Sequence, residues 1–150
     1  MAEADTNKGI QRMARVIEMM PFSANMGMEF VEAGEGWVKL RLPFKKENTT
    51  AADALHGGAI AALIDTTGSM AAWTTSEIGN ARYFGSTVGV TVNYLSGILS
   101  QDCDAEGRVL KRGKEIIYSD VRVTTADGKL CAQGTVIYRI VDRGESPRGR

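Results

Sequence analysis

Histidine occurs once, cysteine twice and proline three times in these 150 residues, and the 18 basic side chains are cancelled by 18 acidic ones. Each scarcity removes a class of chemistry. One histidine, His56, and two widely spaced cysteines, Cys103 and Cys131, supply neither a CxxC pair nor the ligand spacing of a zinc site. No metal is therefore expected, and the cysteines read as free thiols in a reducing compartment. A Ser-His-Asp or Cys-His triad would have to use His56, yet no serine stands in a nucleophile-elbow context. Zero net charge offers no global attraction to nucleic acid or to an anionic membrane, so any anionic ligand must be met by a local cluster. Long apolar runs are also missing: Ala59 to Ile64, the longest, falls far short of the roughly 20 residues that cross a bilayer. The N-terminus shows no charged-then-apolar secretory order, and Glu3, Asp5 and Glu18 argue against a transit peptide. Cytoplasm is the expected location, with neither membrane nor nucleic acid as a partner.

What is present is enough chain for one sizeable core, since 43% of the residues are hydrophobic and 24% charged. Ile10, Met13, Ala14, Ile17 and Met20 recur at helical spacing, which predicts an amphipathic helix over residues 1–21 that Pro21 ends. Strands are expected at Gly27 to Ala33 and Trp37 to Leu42, around the turn Gly34-Glu35-Gly36. A loop from Lys45 to Ala54 leads into His56-Gly57-Gly58. From Leu55 to about Ser76 the side chains are small or apolar nearly all round, which predicts a central helix buried on every side. Four further strands are expected, at Ser86 to Leu95, Gln101 to Leu110, Glu115 to Thr125 and Lys129 to Val141, with tight turns at Arg112-Gly113 and Asp127-Gly128. The order is α+β, compatible with one antiparallel sheet wrapped around the apolar helix. One domain over residues 22–142 is expected, followed by a disordered Gly-, Pro- and Arg-rich tail over 143–150.

Asp65 is the odd residue, set among Ala61, Ala62, Leu63, Ile64, Met70, Ala71 and Ala72. An unpaired buried charge is costly. Two readings fit: a structural carboxylate bonded to Thr66, Thr67 or Ser69 or solvated at an interface, and a reactive one. At the start of the same helix, Gly57 and Gly58 let a ligand approach backbone N–H groups that have no intrahelical partner. The dipole there favours developing negative charge, as an oxyanion hole in acyl transfer requires. An ordinary loop-to-helix junction with glycines for close packing would look the same. His56 either orients the loop or the substrate carbonyl, or is purely structural.

The run Leu55-His56-Gly57-Gly58-Ala59-Ile60-Ala61-Ala62-Leu63-Ile64-Asp65-Thr66 resembles the signature of the hotdog-fold thioesterases of the PaaI-like group. Thr87 to Leu95 and Lys111-Arg112-Gly113-Lys114 extend the likeness, which runs from about Phe22 to Val141. The resemblance implies a hotdog fold and hydrolysis of an acyl-CoA thioester without metal or organic cofactor, the acyl group being aryl or of medium to long chain. It also implies that Asp65 is nucleophile or general base, that the Gly57 N–H is the oxyanion donor supported by His56, that Gly58 is a substrate-binding residue, and that Thr87 supplies a hydroxyl near the attacking water. Ser69, one turn beyond Asp65, is a further hydroxyl candidate. The family commonly has Asn six residues and Gly three residues before the motif histidine; Thr50 and Asp53 stand there, and Asn48 lies two residues too early. Either Thr50 or Asn48 does the positioning, or neither is needed. Arg112, Gly113 and Lys114, with Arg108 and Lys111 nearby, are candidates for the CoA phosphates or a solvated hairpin tip. Tyr94, Trp73 and Phe84 are candidates for an acyl-pocket wall or plain core.

Gly57 and Asp65 are eight residues apart, hence about 12 Å along one helix. One carbonyl must approach donor and nucleophile each to roughly 3 Å, so the two should come from two copies of the helix about a twofold axis. A homodimer is expected, and the family implies a dimer-of-dimers homotetramer as well. The competing expectations are a non-catalytic acyl-CoA-binding hotdog module and a hydratase or dehydratase acting on acyl thioesters.

Overall fold

The computed structural model describes residues 2–77 and 80–144, with side chains from Lys8 onward. Helix α1 (Ala2–Met19) presents Met13 and Ile17 to the core, as their spacing requires, and both are buried. Pro21 does end it, but as the first residue of a second short helix, α2 (Pro21–Met26), which the periodicity did not indicate. Proline suits that position because the N–H it lacks has no partner in a first turn. Residues 145–150 of the predicted tail lie outside the described residues. Arg143, within them, donates its N–H to the Arg82 carbonyl at 2.9 Å and sets its guanidinium 4.2 Å from the Phe84 ring centre.

Strands β1 (Glu29–Gly34), β2 (Trp37–Leu42), β3 (Tyr83–Tyr94), β4 (Cys103–Arg112), β5 (Ile116–Thr124) and β6 (Leu130–Asp142) form one six-stranded antiparallel sheet in the order β1-β2-β4-β5-β6-β3. The central helix α3 (Gly57–Trp73) packs on β2, β3, β4, β5 and β6, so the sheet wraps it in the hotdog arrangement. Alternation sets the inner face: Val38, Leu40 and Leu42 of β2 and Ile117, Ser119, Val121 and Val123 of β5 are all fully buried. Leu63 and Ile64 of α3 are also fully buried, each contributing roughly 1.5–3 kcal/mol by removal from water. The approach is close enough that a Cβ on Gly68 would lie 2.4 Å from Val136 Cγ2, so only glycine lets the helix backbone sit on β6 here.

Two features of this frame place the site. First, α3 is not buried on every side, as its composition suggested. Ala61, Ala62, Asp65, Thr66, Ser69 and Trp73 form a half-buried stripe, because the sheet curls around only part of the helix. Second, β3 is an edge strand with a bulge: Thr87 pairs with Tyr138, Gly89 pairs with Ile137, and Val88 is the extra residue between them. The inserted residue resets the alternation, so that Gly85 and Thr87 before it and Val90 and Val92 after it pair with the inward-facing Ile140, Tyr138, Val136 and Gly134. Thr87 is thereby turned toward α3.

Candidate active site

Asp65 stands on the half-buried stripe of α3 facing β3, and Thr87 Oγ1 donates to its Oδ1 at 2.7 Å. Of the two readings open at the sequence, the carboxylate is therefore hydrogen-bonded, but by a residue from across the fold rather than by Thr66, Thr67 or Ser69. Those three hydroxyls are otherwise placed. Thr67 Oγ1 donates to the Leu63 carbonyl at 2.6 Å and Ser69 Oγ to the Thr66 carbonyl at 2.9 Å, while no hydrogen bond joins Thr66 to Asp65 among the described residues.

The helix start is built by His56. Its backbone is extended, at φ −65° and ψ 137°, which makes it the N-cap residue. Its Nδ1 accepts from the Gly58 N–H at 2.8 Å, which fixes Nδ1 as unprotonated in this arrangement. The His56 carbonyl accepts from Ala59 and Ile60. Among the described residues no acceptor meets the Gly57 N–H, so one of the orphan donors of the first turn is left over. Tyr94, from the far end of β3, donates its hydroxyl to the Gly57 carbonyl at 2.8 Å and lays its ring 3.4 Å from where a Gly57 Cβ would stand. Tyr94 thus touches the helix start, whereas Phe84 is exposed, with the Arg143 guanidinium over its ring.

Asn48 and Thr50 both belong to the loop that leads into this turn. The Asn48 amide donates to the Met26 carbonyl at 2.7 Å and the Asn48 carbonyl accepts from the His56 N–H at 2.9 Å, tying α2, the loop and the N-cap together. Thr50 donates its N–H to the Ala54 carbonyl at 2.7 Å, and its hydroxyl accepts weakly from Ala52 at 3.4 Å. Asp53 takes a left-handed φ of 54°, the conformation a glycine supplies most cheaply, so the loop keeps its shape with a different residue.

Arg112 is spent on its own turn: Nη1 donates to the carbonyls of Gly113, at 2.5 Å, and Lys114, at 3.1 Å, and Nη2 to Ser76 Oγ at 3.3 Å. Gly113 donates its N–H to the Ile116 carbonyl at 2.8 Å, and Lys114 is exposed. Arg112 lines a cleft of about 870 Å³ that lies between α1 and the C-terminal end of α3. A smaller cavity, of about 350 Å³, is lined by Val16, Met20, Ser69, Met70, Trp73, Asn80, Ala81, Tyr83 and Tyr138. It begins one turn beyond Asp65, at Ser69. Tyr138 was not singled out by the sequence; its position in the inward register of β6, opposite Thr87, was the available signal. Burial raises the Tyr138 pKa, the hydrogen bond from Trp73 opposes that, and the charge of Asp65 adds to it. No cluster of metal-ligating side chains occurs among the described residues, and no helix there is long and apolar enough to cross a membrane.

A six-stranded antiparallel sheet around a helix with a polar start and a mid-helix carboxylate defines a hotdog-fold enzyme. A family model described as the thioesterase superfamily matches residues 53–132. The human acyl-coenzyme A thioesterase 13 is 34% identical over 131 residues, covering 83% of this chain and 91% of that protein. Among solved structures, a thioesterase from Haemophilus influenzae superposes with a TM-score of 0.81 at 20% identity, covering 93% of this chain and 94% of its own. The PaaI protein of the E. coli phenylacetic acid degradation operon gives a TM-score of 0.77 at 16% identity, over 87% and 91%. The chain belongs to the thioesterase superfamily, and it is a thioester hydrolase.

Proposed function

We propose that the protein hydrolyses an acyl-coenzyme A thioester to the free acid and CoA, in an active site shared by two subunits. The observation that carries this reading is the pairing, on one helix, of an unspent Gly57 N–H with a carboxylate on the open stripe beside Thr87. The first suits the oxygen of a carbonyl as it gains charge, and the second suits attack on the carbon. In the general-base course, Asp65 takes a proton from water, the water oxygen bonds to the carbonyl carbon, and collapse breaks the C–S bond. The thiolate leaves and is protonated. In the nucleophilic course, the carboxylate oxygen bonds to the carbonyl carbon, the C–S bond breaks as the CoA thiolate leaves and is protonated, and water then opens the resulting anhydride to the free acid and the Asp65 carboxylate. Thr87 holds the carboxylate in either course.

Eight residues of helix separate the two groups by about 12 Å, so they serve one carbonyl only if each comes from a different copy of α3. The unpaired edge of β3, where Val88, Val90 and Tyr94 are exposed together with Leu95 just after the strand, is the surface we assign to that homodimer, with pairing of dimers into a tetramer as its extension. The likeness to the human acyl-coenzyme A thioesterase supports the substrate, and the exposed Lys111 and Lys114 beside the β4–β5 turn are the cations we assign to the CoA phosphates. The buried free thiols of Cys103 and Cys131 support a cytoplasmic location.

The test is thiol release from a panel of acyl-CoAs by wild type and Asp65→Asn. Hydrolysis by wild type, with a large loss in the variant and CoA binding kept, supports the reading. Equal binding and no thiol release by either protein would make this a binding module instead. Mixing Asp65→Asn with Gly57→Pro under proven subunit exchange should restore activity, since one of the two sites in a heterodimer is then intact; no restoration would count against the shared site.

A further inference from the structure

Trp73 and Tyr83 line both cavities, the smaller one beside Asp65 and the larger cleft beyond it. They form the partition between the two. Resting on the acyl-CoA reading above, we propose that the smaller cavity is the acyl compartment of the Asp65 site and that Trp73 is its end wall. The chain then takes compact aromatic acyl groups and turns away long straight ones.

The compartment adjoins the reacting groups from two directions. Along α3, Asp65, Ser69 and Trp73 follow one another at four-residue steps on the same half-buried stripe, and the last two line the cavity. Across the sheet, Thr87, which holds Asp65, pairs directly with Tyr138, a third lining residue. An acyl group whose carbonyl lies at Asp65 therefore has this cavity as its neighbouring apolar space.

The lining fits a ring. Trp73, Tyr83 and Tyr138 supply aromatic faces and edges, and Met20 and Met70 supply thioethers, which make favourable contacts with aromatic groups. At about 350 Å³ the cavity is near the small end of the roughly 300–1,000 Å³ usual for small-molecule sites. Two side chains locked to each other bound it at the Trp73 end. Trp73 Nε1 donates to the Tyr138 hydroxyl at 3.1 Å, and the two rings meet edge to face with centroids 6.4 Å apart. A Cβ on Gly85 would lie 2.6 Å from the Tyr138 hydroxyl and 2.7 Å from Trp73 Cζ2, so glycine at that place in β3 is what lets the pair stand there. Val16 of α1 and Met20, which joins α1 to α2, complete the lining, which gives the N-terminal helix a part in substrate choice.

Two measurements test this. The first is kcat/KM for phenylacetyl-CoA and palmitoyl-CoA in wild type, Trp73→Phe and Trp73→Ala. Wild type should favour the aryl substrate, Trp73→Phe should keep that preference, and Trp73→Ala, by joining the cavities, should shift the ratio toward palmitoyl-CoA by about tenfold or more. An unchanged ratio in a folded Trp73→Ala protein, or a wild-type preference for palmitoyl-CoA, overturns the proposal. The second is Trp73 fluorescence in a Trp37→Phe background during titration with the non-hydrolysable thioether analogue of phenylacetyl-CoA. A saturable change supports the compartment even if no substrate is turned over, in which case the hydrolase reading fails alone. Hydrolysis, or analogue binding, without any change at Trp73 overturns the compartment and leaves the rest standing; no binding and no hydrolysis overturns both.

Discussion

Thr87 and Asp65 meet across 22 residues of sequence, hydroxyl to carboxylate, at 2.7 Å. Thr87 reaches the helix because the Val88 bulge lets it face inward on an edge strand whose later residues also face inward. Hydrogen bonds to charged groups are worth about 1.5–3 kcal/mol. Thr87→Val keeps the shape and loses the donor, so kcat should fall about ten- to a hundredfold with KM for acyl-CoA little changed. Thr87→Ser should keep most of the activity. Steady-state kinetics with the three proteins checks this, and equal losses in Ser and Val variants would show that packing, not the hydroxyl, matters.

The Gly57 N–H can be removed without breaking the helix. Proline is tolerated at the first helical position, and the residue before a proline favours the extended backbone that His56 already has, at φ −65° and ψ 137°. A Cβ at Gly57 meets the Tyr94 ring at 3.4 Å, an ordinary contact. Gly57→Pro should therefore fold and bind acyl-CoA, yet lose about 100- to 1,000-fold in kcat, the usual cost of one oxyanion donor. Gly57→Ala keeps the N–H and should lose far less. Near-equal kcat in the proline and alanine variants would remove the N–H from the mechanism.

His56 closes the first turn through Nδ1, a task that an asparagine side chain performs well at an N-cap. His56→Ala should lower stability by about 1 kcal/mol, and His56→Asn should recover most of that. Urea unfolding of the three proteins reads this directly. If His56→Asn is as stable as wild type but much slower in catalysis, the ring also acts on the substrate.

The outline of the fold could be read in the sequence because alternation in β2 and β5 and the apolar run of α3 each match one element's period. The expected strands overlap the observed ones, and Trp37–Leu42 coincides. The stripe on α3 was misjudged because Ala61, Ala62, Thr66 and Ser69 are small enough to suit either a core or an open face. Composition cannot tell these apart; the reach of the sheet decides. Helix α2 was missed because a proline reads as a stop, although it also begins a helix. Asp65, His56 and Gly57 were visible through their spacing and Thr87 through the family resemblance, whereas the hydrogen bond from Thr87 to Asp65 depends on the bulge at Val88, which the strand pattern did not place. The basic cluster near Arg112 was legible as charge, but its geometry was not: Arg112 turns back onto Gly113, Lys114 and Ser76.

Cys103 offers a test of the core apart from the chemistry. Its thiol is buried at the start of β4, and burial first, then the nearby charge of Asp104, pushes its pKa up from 9.0 to about 12. The thiolate is the reactive form, so the folded protein should resist alkylation by iodoacetamide at pH 8, while the unfolded chain reacts at both cysteines. The same shift sets a sign for stability. A thiol whose pKa is higher in the folded state favours folding fully below pH 9 and loses that contribution as pH rises toward about 12. Cys103→Ala removes this titration, so the alkaline loss of stability, followed by urea midpoints from pH 8 upward, should be shallower in the variant. Identical slopes, together with rapid native-state alkylation of Cys103, would mean that β4 opens at its start far more readily than its packing allows.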